Sequence, residues 1–101
     1  MMMALIDFEV LPTDRERILE RVQPLLEEAR RMEGNCAYRA STDSENPAHI
    51  GLMHEWETLA HFRAYTSSGL LDRIGAILRP AMTRPPVNRR LQTHIIEEIR
   101  A

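Results

Sequence analysis

Apolar and polar residues alternate from Met3 to Val10 (MALIDFEV): Ile6, Phe8 and Val10 fall on one side, Leu5, Asp7 and Glu9 on the other. A period of two predicts a half-polar strand. The period then lengthens. Ile18, Val22, Leu25, Leu26, Ala29 and Met32 recur at helical spacing and form one apolar stripe. Ahead of that stripe, Thr13-Asp14-Arg15-Glu16 has the spacing of a capping box. Pro24 predicts a kink within the helix, and Gly34 a left-handed stop after it. CAYRAS (Cys36 to Ser41) predicts a second strand, followed by a turn over Thr42 to Pro47 rich in Asp, Asn, Ser and Pro. HIGLMHEW (His49 to Trp56) predicts a third strand, with Ile50, Leu52, His54 and Trp56 on one side and His49, Gly51, Met53 and Glu55 on the other. A broken helical region follows. Thr58 is placed to cap a short helix through about Tyr65, and Ser67 or Ser68 to cap a second one carrying Leu71, Ile74, Ile77 and Leu78. After Pro80, Pro85 and Pro86, the stretch from Asn88 to Ile99 predicts a last strand, with Leu91, Thr93 and Ile95 opposite Arg90, Gln92 and His94.

The order is βαββαβ, so the expected class is α+β with a ferredoxin-like antiparallel sheet, in one domain over residues 1–101. Helices can cover only one face of such a sheet. The strand sides led by Ile6, Phe8, Val10, Leu52 and Trp56 are assigned to them. The other face then mixes Leu5, Met53 and Ile96 with Asp7, Glu9, Glu55, Arg90 and His94. Leaving that apolar area wet costs about 25 cal/mol per Å². A second copy packed face to face would bury it, so a symmetric homodimer is expected.

Composition narrows the class further. The chain is 44% hydrophobic and 28% charged, as in an ordinary globular protein. A net charge of −2 gives no basic footprint for nucleic acid. No apolar run approaches the roughly 18 residues that span a bilayer. Met1-Met2-Met3 lacks the basic and long apolar parts of a signal peptide and reads as an alternative start or an added remnant. The single cysteine, Cys36, has no disulfide partner, which suits a cytoplasmic protein.

Candidate chemistry concentrates in HEWETLAHFRAYTSS, His54 to Ser68, which holds the only tryptophan. Trp56 reads either as a core ring with its N–H bonded locally or as a wall on which a flat ligand stacks. His54 shares its strand face. A neutral imidazole there could accept a phenolic proton; otherwise it is a buried histidine satisfied by a carbonyl or by Tyr38. Phe62 and Tyr65 lean inward together on the following helix, leaving His61 at the rim, and Tyr38 belongs to the pocket or the core. His49 and His94 fall on the opposite face. No metal-ligand spacing and no phosphate-binding glycine loop is present.

Four features carry a resemblance: Pro12 closing the first strand, MEGNCAY leading into the second, EWET ending the third in Trp56, and the helix after it. On these the sequence resembles the antibiotic biosynthesis monooxygenase family of dimeric α+β barrels, which includes small quinol and polyketide monooxygenases. The resemblance implies a homodimer, with a pocket between helices and sheet in each subunit. It implies oxidation of a small aromatic hydroquinone or polyketide-like substrate by O2 without metal, flavin or other cofactor. Within such a pocket the residues themselves suggest His54 as the catalytic base and Trp56, Phe62, Tyr65, Tyr38, Leu52 and Phe8 bounding the substrate. Where the polyketide-oxidising branch would carry Asn four residues before the Trp and Tyr six after it, this chain has Leu52 and Phe62. Gly75 stands near the position of the haem-degrading branch's ligand histidine, so haem degradation is not expected. The competing expectations are a non-catalytic ligand-binding module on the same scaffold and a cofactor-free isomerase working by proton transfer.

Overall fold

A computed structural model describes residues 1–101. Its elements run β1 (Met2–Glu9), α1 (Arg15–Arg30), β2 (Asn35–Ser41), β3 (His49–Trp56), α2 (Leu59–Ser67), α3 (Leu70–Leu78) and β4 (Val87–Gln92), with short 3-10 turns at Pro12–Asp14 and Arg79–Ala81. The strands form one antiparallel sheet in the order β2-β3-β1-β4. This is the ferredoxin-like α+β arrangement that the alternation predicts.

Register decides which residues meet the helices. β1 aligns with β3 so that Ala4 faces His54, Ile6 faces Leu52 and Phe8 faces Ile50. β2 adds Tyr38 beside His54 and Ala40 beside Leu52. These side chains lie under α1 and α3, whose Ile18, Val22, Leu26, Ile74 and Leu78 complete a buried core. The Arg30 side chain donates to the Tyr38 carbonyl at 2.8 Å, tying the end of α1 to β2.

Several local expectations are corrected. The capping box does not form, because Pro12 starts a 3-10 turn that draws Thr13 into it, and Asp14 precedes α1 without a side-chain cap. As the apolar stripe requires, α1 runs from Arg15 past Pro24 to Arg30. Gly34 does take the left-handed conformation, at φ 81°, although α1 has already ended by then. It also has a second constraint, since a Cβ there would collide with the His61 ring. Thr58 caps α2 as expected, accepting from the His61 N–H at 3.1 Å. Neither Ser67 nor Ser68 caps α3: left-handed Gly69 holds that position without a side-chain bond, and Ser68 Oγ, one residue earlier, accepts from Leu70 N–H at 3.3 Å. The leading methionines are not spare, because Met2 opens β1 opposite Trp56 and belongs to the core.

The largest correction concerns β4. It ends at Gln92 rather than Ile99, because its partner runs out: Gln92 pairs with Met2, and Thr93 N–H donates to the Met1 carbonyl at 2.7 Å. Beyond that point no strand of the chain lies alongside. Residues Thr93 to Ile99 keep a strand-like pattern without a ladder, and Ile96 is 91% exposed. His94 and Ile96 are therefore off the sheet altogether. Arg90 also changes sides. It aligns with Ala4, so it shares the helix face with Asn88 and Gln92, while Leu91 aligns with Met3 on the outer face.

Candidate functional site

Strand alternation places His54 and Trp56 on the helix face, and the helical i, i+3 relation brings Phe62 and Tyr65 down onto them. The result is a buried aromatic cluster joined by two short polar bonds. The Tyr38 and His54 rings stack at 4.4 Å with only 7° between their planes. Tyr65 stacks on Trp56 at 5.0 Å. The Trp56 indole N–H donates to His54 Nδ1 at 2.8 Å, and the Tyr38 and Tyr65 hydroxyls share a hydrogen bond of 2.8 Å.

These bonds set the protonation states. An Nδ1 that accepts from the indole carries no proton, so the neutral ring holds its hydrogen on Nε2. Burial, and then the positive charge of Arg90, lower the His54 pKa from 6.5 to about 4. The ring is therefore neutral near pH 7, with its one basic lone pair engaged by Trp56 and its Nε2–H left for the pocket. Burial raises the Tyr38 phenol; burial and the neighbouring Tyr38 raise Tyr65 strongly. Neither tyrosine is a phenolate at ordinary pH.

A pH dependence follows. Between 6.5 and about 4 the unfolded chain carries a proton on His54 that the folded chain refuses. This contribution to stability is complete above the unfolded value and is lost as pH falls toward the folded one. It amounts to about 3 kcal/mol. Urea midpoints should fall across this window while the His54 ring ¹⁵N shifts remain those of the Nε2–H tautomer through most of it. An imidazole titrating near its ordinary value would contradict the burial argument.

Two cavities adjoin the cluster. An outer cleft of about 480 Å³ lies between α2 and the ends of β1 and β4; its walls include Met2, Glu57, Leu59, Phe62, Arg63 and Arg90. An inner pocket of about 30 Å³ is lined by His54, Tyr65, Ala4, Ile6, Phe62 and Arg90, among others. Phe62 and Arg90 border both. The Arg90 guanidinium sits 5.0 Å from the centre of the Phe62 ring, so the two form the partition.

The expected residues thus divide. His54, Phe62 and Tyr65 line one or both of these cavities. Trp56, Tyr38, Leu52 and Phe8 lie in the closed core and line neither. Leu52 sits beside Ile6 and Ala40, and Phe8 is one strand pair further from His54, opposite Ile50. His61 is held at the rim by Thr58, with Nδ1 2.8 Å from Oγ1. Arg90 is the residue that the alternation missed, since Leu91 seemed the natural inward position; only the pairing of β4 with β1 reveals it. No three His, Cys, Asp or Glu side chains are grouped to hold a metal ion.

This architecture recurs in known proteins. A protein of Nitrosomonas europaea, provisionally named an antibiotic biosynthesis monooxygenase, superposes with a TM-score of 0.82 at 15% identity over 92% of this chain and 98% of that one. One from Deinococcus radiodurans, named likewise, gives 0.82 at 15% identity over 100% of both chains. Another from Caulobacter crescentus gives 0.84 at 13% identity over 93% of this chain and 90% of its own. At such identities the likeness is one of fold. No curated protein sequence matches the chain. The sequence itself supplies the stronger link, because the family model for antibiotic biosynthesis monooxygenase matches residues 1–75, from β1 into α3, including every cluster residue from Tyr38 to Tyr65. The fold that places Trp56 against His54 and the sequence that encodes it agree, and the chain belongs to the antibiotic biosynthesis monooxygenase family.

Proposed function

We propose that the protein is a cofactor-independent monooxygenase that oxidises a small hydroquinone or polyketide-like phenol with O2. The observation that carries this reading is the outer cleft, which is large enough for a flat ring and ends in a cation, Arg90, stacked on Phe62. An electron-rich phenol bound there loses its proton to solvent more readily because Arg90 favours the aryloxide. The aryloxide gives one electron to O2. The resulting aryloxyl radical and superoxide combine at a ring carbon, and the hydroperoxide formed loses water to leave an oxygenated quinone. One oxygen atom enters the product and the other leaves in water.

The bonds around His54 favour a donor over a base: its lone pair serves Trp56, and its free atom is an N–H. We assign it stabilisation of developing negative charge. The same bonds argue against the isomerase reading, which needs a histidine free to shuttle protons. The binding-module reading draws support from Tyr38 and Trp56, which line neither cavity and spend their polar groups on Tyr65 and His54, so they offer a ligand no chemistry.

Oxygen uptake with a hydroquinone panel, with labelled O2 traced into the product, tests the reaction; a parent that oxidises none of them leaves the binding module. His54→Ala should lower kcat by roughly ten- to a hundredfold with little change in KM, whereas His54→Gln, which keeps an N–H, should retain much of the rate. Equal loss in both would restore the role of base.

We further propose that the outer sheet face, where Leu5 adjoins Met53 and Met3 adjoins Leu91 amid Asp7, Glu55, Arg39 and Arg89, packs against a second copy. Light scattering at micromolar concentration should give a homodimer mass; a monomer would leave this apolar strip without a partner and sink the idea.

A further inference from the structure

The inner pocket is not needed to hold the aromatic substrate. At about 30 Å³ it is too small for a ring; an apolar cavity that accepts benzene measures about 150 Å³. It is instead the size of one water or one diatomic molecule. Its walls are mostly apolar, with Ala4, Ile6, Phe62 and Leu71 supplying carbon surface. The Tyr65 hydroxyl is already committed to Tyr38, and the His54 lone pair to Trp56. What remains is one unbonded N–H, on a residue only 2% exposed, with Asn88 and Arg90 on β4, across β1 from it. Asn88 and Arg90 are exposed, so the pocket opens to solvent, and O2 enters it by displacing water from mostly apolar walls. A neutral diatomic molecule needs no hydrogen bond on entering. Once it is reduced to an anion, the donor and the cation both stabilise it.

We propose that the inner pocket is the dioxygen site, and that the His54 Nε2–H and the Arg90 guanidinium hold the superoxide formed there. This rests on the monooxygenase reading of the outer cleft and assigns the second reactant its own place. The aryloxide in the cleft and O2 in the pocket lie on opposite sides of the Phe62–Arg90 partition. One electron passes from the aryloxide to O2, leaving an aryloxyl radical on one side and superoxide on the other. Superoxide then moves past the Phe62 ring and forms the C–O bond at the radical carbon. The hydroperoxide anion so formed takes up one proton from solvent. The charge that develops in the pocket thus meets its counter-charge before any bond is made.

The geometry separates two affinities that a single shared site would couple. Bromide, a monatomic anion and strong anomalous scatterer, serves as a stand-in for superoxide. Crystals of the unaltered protein soaked in bromide should show an anomalous peak beside His54 Nε2. Bromide should also inhibit competitively against O2 and not against the hydroquinone. Ala4→Val narrows the pocket without touching the cleft. It should raise KM for O2 about tenfold and leave KM for the hydroquinone unchanged. An ordered water in the pocket with bromide only on the surface overturns the assignment, as does an Ala4→Val enzyme with the parental KM for O2. Should Ala4→Val fail to fold, the bromide measurement on the parent still decides. A parent that oxidises no hydroquinone overturns the underlying reaction and the dioxygen role with it. An active parent whose pocket excludes bromide overturns the pocket assignment alone.

Discussion

Trp56→Ala should destabilise the protein by about 3–5 kcal/mol, the range for removing a fully buried aromatic from a packed core. Three separate losses point to the upper end. Trp56 has 0% exposure, so its whole ring area returns as cavity. Tyr65 loses its stacking partner at 5.0 Å. His54 Nδ1 loses the donor that satisfies it, and a buried acceptor left without one costs a further 1–3 kcal/mol or so. Trp56→Phe separates these contributions: it restores part of the ring but no N–H, so it should lie between parent and Ala. It should also raise the His54 pKa, because a proton on Nδ1 then displaces no hydrogen bond. Denaturant melts of the three proteins, with His54 titrated by NMR, check both halves. A Trp56→Ala protein as stable as its parent would mean that the ring is not where the structure puts it.

The second large effect belongs to Arg90. Arg90→Gln should reduce kcat/KM for hydroquinone oxidation by about 10²–10³-fold, the usual result of removing a group aimed at developing negative charge. The loss should be smaller at high pH, where the substrate ionises without help, so the pH–rate profile should move upward. Arg90→Lys should fall between the two, since it keeps the charge but not the planar group that stacks on Phe62. One readout is independent of turnover. Arg90 contributes to holding the His54 pKa down, so that pKa should rise in the Gln variant whether or not any substrate is oxidised. A variant with the parental rate and profile would remove Arg90 from the mechanism.

Much of the fold was legible because β1 and β3 alternate cleanly and α1 carries an unbroken stripe. The inward set of β3, including His54 and Trp56, followed from period two alone. What alternation could not supply was pairing. Whether β4 presents Arg90 or Leu91 to the helices depends on which residue of β1 lies opposite, and Leu91, Thr93 and Ile95 suggested the reverse of what the ladder gives. The same absence of pairing information extended the last strand to Ile99, since residues with strand propensity form a strand only beside a partner. Local chemistry was read with mixed success for a similar reason. Thr58 caps α2 because the chain before it is extended, whereas Thr13 sits inside a turn that Pro12 starts. In the site, the identities of the cluster residues were visible but the hydrogen bonds between them were not. Those bonds turn His54 from a candidate acceptor into a donor.

The bond between Trp56 and His54 has an optical consequence. All tryptophan emission from this protein comes from one indole, sealed from water and 2.8 Å from an imidazole. An imidazolium quenches a neighbouring indole more strongly than a neutral imidazole does. The fluorescence of the unlabelled chain therefore reads the charge on His54 directly, and a change of electric field beside that ring would register as a change in brightness.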